Sequence, residues 1–157
     1  MPFVDVKLKD VELEKPQAIP VGDYVFQLLP GAEVRINKYS QLEELNLSAS
    51  VAEGDFQGRR VFWSYPDPST VGTSGNSFAW SSQAMKKLEI SLGEDALDGE
   101  DSLSYFNRVA GNMPRFRAKM VTETRKNKET SKYEPYIREG ETEPRAVFGI
   151  FTVGASA

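Results

Sequence analysis

Apolar and polar side chains alternate along much of this chain, the period of a strand with one buried and one solvated face. From Val21 to Leu29, Tyr24, Phe26 and Leu28 point one way, while Asp23, Val25 and Gln27 point the other. Pro30-Gly31 interrupts the pattern, which resumes through Glu33–Asn37. The spacing predicts one long strand with a bend or bulge, a device by which small barrels turn corners. Next, Leu45, Leu47, Ala49 and Val51 alternate with Asn46, Ser48, Ser50 and Ala52; a turn over Glu53–Gly58 leads into Arg59–Tyr65. These two segments are expected to form an antiparallel hairpin. The first 18 residues alternate weakly and read as an edge strand or a docked arm, and residues 66–78, rich in Pro, Gly, Ser and Thr, read as an exposed flexible loop.

Helical spacing is confined to the middle. Ser81–Leu88 starts with a capping serine and runs toward Gly93, with Trp80 as the expected hydrophobic staple. Asp101-Ser102 caps a second helix over Leu103–Ala110, in which Leu103, Phe106, Val109 and Ala110 form one stripe. Between them, Glu94, Asp95, Asp98, Glu100 and Asp101 form an acidic linker. Alternation then returns: Phe116, Ala118 and Met120 against Arg115, Arg117 and Lys119, then Lys132–Arg138, then the apolar Ala146–Val153. Three strands, helices, then two strands is the order of a mainly β, five-stranded, OB-fold-like Greek-key barrel with a helical insertion between strands 3 and 4. Other small barrels and α+β sheets share that order. One domain over 1–157 is expected.

Two absences narrow the chemistry. There is no cysteine and no histidine among the 157 residues. Disulfides, thiolate nucleophiles, cysteine-ligated metals and imidazole general bases are all unavailable. Carboxylate chemistry with a hard cation remains open in principle. The acidic linker lacks the spacing of a calcium loop, however, and suits a solvated connection, while Gly72-Thr73-Ser74-Gly75 lacks the lysine of a phosphate loop. The sequence therefore points to a binding protein rather than an enzyme, with no cofactor. No apolar run approaches membrane-spanning length and the N-terminal stretch has no signal-peptide core, so a cytoplasmic location and no membrane partner are expected.

Charge changes the picture by its distribution. The whole chain carries −4, yet residues 113–138 hold eight cations against three carboxylates, a net +5. Phe116, Tyr133 and Tyr136 are interleaved with them. Cations for phosphates and flat rings for bases are what single-stranded nucleic acid requires. Arg59 and Arg60 open the third strand ahead of Trp63 and Tyr65, and Arg35, Lys38 and Tyr39 form a further basic–aromatic group. The candidate phosphate ligands are Arg59, Arg60, Arg115, Arg117, Lys119, Lys126, Lys128 and Lys132. The candidate stacking residues are Trp63, Tyr65, Tyr133 and Tyr136. Alternating cations also suit an ordinary solvated strand face, and Trp63 and Tyr65 suit a core equally well; Phe116 shares a face with Ala118 and Met120 and is expected inside.

Residues 19–65 are similar to the opening of small phage-encoded single-stranded-DNA-binding proteins that accompany replication and recombination genes. The similarity is carried by Gly22-Asp23-Tyr24 before a strand and by Val51-Ala52-Glu53-Gly54-Asp55-Phe56-Gln57-Gly58-Arg59-Arg60-Val61. The resemblance implies an OB-fold protein that coats single-stranded DNA with little sequence preference during phage-type replication, recombination or repair, in the host cytoplasm. It further implies replication or recombination proteins as partners, for which the acidic linker is a candidate surface, and leaves room for a homo-oligomer. The rival expectation is a protein–protein assembly module, such as a virion or tail component, using the same sheet.

Overall fold

The alternating segments fold into one curled antiparallel sheet whose concave side is filled by two helices. The computed structural model describes residues 7–10, 18–71, 75, 77–150 and 152–153. The expected N-terminal arm over 1–18 and the phosphate-loop-like Gly72–Gly75 stretch thus fall largely outside the described residues. The elements in order are β1 (Gly22–Leu28), β2 (Glu33–Ile36), β3 (Glu43–Val51), β4 (Arg60–Pro66), α1 (Trp80–Leu92), α2 (Ser102–Ala110), β5 (Arg115–Thr122), β6 (Thr124–Lys126), β7 (Tyr133–Pro135) and β8 (Ala146–Phe148).

β1 and β2 are the two halves of the bent strand that Pro30-Gly31 predicted. Both pair with β3 along the same edge: Phe26–Leu28 faces Val51–Ala49, and Glu33–Ile36 faces Asn46–Glu43. The other edge of β3 pairs with β4 from Glu44↔Pro66 to Ser50↔Arg60, the expected hairpin. β5 pairs with the free edge of β1, and β8 with that of β5, giving the lateral order β4-β3-β1-β5-β8 with β2 extending β1. β6 and β7 form a separate two-stranded hairpin that leaves the sheet after Thr122.

Period-two burial is strict. β3 buries Leu45, Leu47, Ala49 and Val51, β4 buries Val61, Trp63 and Tyr65, and β5 buries Phe116, Ala118 and Met120. The sheet curls until its two outermost strands meet through side chains: the Trp63 ring on β4 lies 4.3 Å from that of Phe148 on β8. Phe26 stacks on Phe116 at 5.7 Å and meets Phe148 edge-on at 5.3 Å, completing an aromatic cluster across the inside. From α1, Ala84, Leu88 and Leu92 join this core; from α2, Tyr105, Phe106, Val109 and Ala110 do so.

Local chemistry explains where the helices begin and end. The Asp101 side chain accepts from the Ser104 amide and caps α2 as its sequence promised. α1 differs from the expectation. It opens at Trp80 without a side-chain cap, and Trp80 is its first residue rather than a staple ahead of it, packing edge-on against Phe78. Gly93 ends α1 at φ 74°, a conformation that costs glycine little, while its amide reaches back to the carbonyls of Glu89 and Ile90. Two linker acids have side-chain partners: Glu100 makes a two-pronged bond to Arg108, and the Glu94 carboxylate accepts from the Asn112 amide; the Glu94 main-chain carbonyl also accepts from the Tyr105 hydroxyl. No described helix is long and apolar enough to cross a membrane.

The last strand is shorter than the apolar run Ala146–Val153 suggested, because Gly149 turns out of it. Its amide donates to the Lys119 carbonyl, and a Cβ there would lie 3.1 Å from that same oxygen and 2.4 Å from Thr152 Oγ1. Gly149→Ala is therefore expected to lower stability by about 1–3 kcal/mol, since the backbone of β5 cannot swing aside as a side chain can. Urea unfolding followed by far-UV circular dichroism measures this; a midpoint equal to wild type would mean that the β5–β8 junction is looser than its geometry.

Candidate nucleic-acid interface

Strict alternation that fills the inside of the curl also decides what the outside presents. On β5, Arg115, Arg117 and Lys119 are all exposed, beside Gln27, Val25 and Asp23 of β1. Gln27 also faces Ser50 of β3, and Ser50 faces Arg60 of β4. The register thus lines up Arg115, Gln27, Ser50 and Arg60 in one rung across four strands, a span of roughly 14 Å at the usual strand spacing. Next to Arg60 on the same face, Phe62 is 71% exposed with its ring in solvent. This is an aromatic platform on a surface of hydroxyls, amides and cations.

The cations of this face are lightly engaged. Arg115 approaches Glu53, and Lys119 approaches Asp23, each at 3.8 Å between exposed side chains. Such pairs are worth about 0–1 kcal/mol and exchange readily for another anion. Arg60 and Arg117 have no ion pair among the described residues. Arg59 is half-buried in the turn before β4, where its amide and carbonyl bond to Phe56 and Val51.

Two sequence-derived candidates move off the face. Trp63 is only 8% exposed and Tyr65 only 1%, so neither ring can receive a base. They share parity with Val61, which already faces the core. Aromatic identity had suggested a platform, whereas strand periodicity, read literally, puts 61, 63 and 65 inside and 60, 62 and 64 outside. Phe62 is the exposed ring of this strand, and its parity with Arg60 is the sequence signal for it. Burial pushes the Tyr65 hydroxyl up to about 12. The nearby Trp63 indole offsets a little of this without making a well-formed hydrogen bond, and both polar atoms are left unpartnered inside. Phe116 is buried as expected.

The remaining candidates sit on the β6–β7 hairpin. Register places Lys126 opposite Tyr133 on one side, and Arg125 opposite Glu134 on the other. The second side is fastened by layered contacts. The Arg138 guanidinium forks onto Glu123 at 2.9 and 2.7 Å, the Arg125 guanidinium lies 3.9 Å from the Tyr136 ring centre, and the Asn127 amide reaches Glu134 at 3.3 Å. Tyr136 is thus half-buried under Arg125 and occupied. Tyr133 is 72% exposed, and Lys126, Lys128 and Lys132 surround the same tip. On the opposite end of the sheet, the turn between β2 and β3 presents Lys38 and a fully exposed Tyr39.

Among the described residues no group of acidic side chains is arranged to hold a metal ion. The chain matches no protein-family model, no curated protein and no solved structure.

The fork from Arg138 holds the Glu123 carboxyl below its usual 4.5. A carboxyl lowered in the fold contributes stability that is complete above 4.5 and fades as pH falls through its folded value. The Tyr136 amide donates to the Glu123 carbonyl, so it reports the base of the hairpin. Its hydrogen-exchange protection, corrected for intrinsic rate, is expected to decline as pH drops below 4.5, and to be low at every pH in Glu123→Gln. Protection in Glu123→Gln equal to that of wild type would show that the fork does not secure the hairpin.

Proposed function

We propose that this protein binds single-stranded DNA without catalysis and with little sequence preference, as a coating factor in phage-type replication, recombination or repair. The observation that carries this reading is the cross-sheet rung of Arg115, Gln27, Ser50 and Arg60 beside the exposed Phe62 ring. It offers cations at both ends for phosphates and a flat surface within reach for a base. The hairpin extends the track with Lys126, Lys128, Lys132 and Tyr133.

The strand order supports the same reading. With β1 and β2 taken as one strand, the order β4-β3-β1-β5-β8, with β4 meeting β8 through their rings, matches the five-stranded OB barrel. In that barrel the second and third strands, and the loops between strands 1 and 2 and between strands 4 and 5, receive oligonucleotides. Here those places correspond to β3 and β4 with Ser48, Ser50, Arg60 and Phe62, to the turn with Lys38 and Tyr39, and to the β6–β7 hairpin. An acidic remainder repels DNA from the other surfaces and leaves the basic face as its route.

Fluorescence anisotropy with a labelled oligo-dT at two salt concentrations, beside a duplex of equal length, tests this directly. Tight single-strand binding that weakens steeply with salt is expected, with little duplex binding. Phe62→Ala should cost about 1–3 kcal/mol, roughly 5- to 150-fold in affinity. Arg117→Ala should flatten the slope of log affinity against log salt by about 0.7. No binding to oligo-dT at low salt would sink the proposal.

A further inference from the structure

A second surface is built with the opposite sign. Where the end of β4 meets the start of α2, a groove of about 350 Å³ opens, walled by Val34, Met85 and Leu103 and floored by Tyr65. Four carboxylates line it, Glu43, Glu44, Asp67 and Asp101, and no lysine or arginine does. Tyr65 lends the floor a ring edge, while its hydroxyl is buried toward Trp63. Ser69 donates two hydrogen bonds to Asp67, which hold its carboxyl below the usual range. The groove therefore suits a ligand with an apolar or aromatic body and positive charge at its edges.

This chain carries such a ligand on itself. The β6–β7 hairpin presents an exposed Tyr133 ring flanked by Lys126, Lys128 and Lys132, the complement of an apolar groove rimmed by carboxylates. The two features cannot easily meet within one molecule. β5 runs antiparallel to β1 with Met120 opposite Gly22, so the hairpin leaves the sheet at the end where β1 begins. Val34, Glu43 and Glu44 belong to the other end, where β2 pairs with the start of β3. A basic aromatic plug at one end and an acidic socket at the other define a head-to-tail contact between copies. Because the two surfaces differ, the contact leaves a free plug and a free socket after each addition and does not close at a dimer unless a ring forms.

We infer that the hairpin of one copy docks in the Glu43–Leu103 groove of the next, giving a polar, salt-sensitive chain of subunits. The contact goes beyond DNA binding and forms without DNA. Sedimentation velocity of the full chain, across concentration and at low and high salt, tests it. Mass is expected to rise with concentration at low salt and fall toward the monomer at high salt. A monomer at every concentration would overturn the inference.

Charge reversal separates this contact from others. The hairpin variant Lys126→Glu/Lys132→Glu and the groove variant Glu43→Lys/Glu44→Lys should each lose self-association by at least about tenfold, through like-charge repulsion at every junction. Mixed in equal amounts, they should associate again, because each plug then meets a socket of opposite sign. Recovery in the mixture also shows that both variants are folded. If instead either variant alone associates as wild type does, or if two folded variants (by circular dichroism) fail to associate when mixed, the hairpin–groove contact is wrong.

Discussion

The contact between Trp63 and Phe148 bears on everything else in this molecule. β4 and β8 are the outermost strands of the sheet and are joined by no strand register, so the curl is held shut there by side chains. Trp63, Phe148, Phe116 and Phe26 form a continuous set of offset and edge-on rings, the arrangement favoured by aromatic quadrupoles. Closing the inside in this manner fixes the outside: once 61, 63 and 65 face inward, 60, 62 and 64 must face outward. The exposure of Phe62 is thus a corollary of the burial of Trp63. The helices complete the closure, with Leu88 and Phe106 entering the same core.

Electrostatics divides the molecule in a way that its net charge conceals. The cations of β5 and of the hairpin are gathered on the convex face and at one end of the sheet, and the carboxylates of the groove at the other. On the hairpin the carboxylates serve architecture: Glu123 fastens it through Arg138, and Glu134 holds Asn127. The linker acids act similarly, as a cap for α2 and as the partner of Arg108. Of that acidic stretch, Glu100 and Asp101 also hold the helices in place.

Much of the architecture was legible because it rests on period-two burial, a property of residue type and position alone. The bent β1–β2 strand, the β3–β4 hairpin and the inward faces of β3 and β5 are of this kind, while the Asp101 cap was legible from residue type at a helix start. Trp63 and Tyr65, which suit stacking and core alike in sequence, stay undecided there for a different reason. Aromatic side chains favour cores and ligand faces alike, so identity could not decide between them, whereas parity with Val61 could. The early end of β8 at Gly149 was not legible, because it depends on the approach of the Lys119 carbonyl from a distant strand. The groove escaped the sequence for the same reason: its walls come from β2, α1 and α2, which only tertiary packing brings together.

Phe62 and Trp63 are adjacent in the chain and lie on opposite sides of a single strand, which separates the optics of the protein from its chemistry. The indole of Trp63 is sealed among rings that hold the curled sheet shut, while the exposed neighbour is a phenylalanine with almost no emission of its own. With the partly exposed Trp80 replaced by phenylalanine, Trp63 fluorescence becomes a gauge of whether β4 and β8 stay together, and a ligand can fill the outer face without altering it. A change in that signal on adding a ligand would speak of the curled sheet flexing, a mechanical event rather than an occupancy.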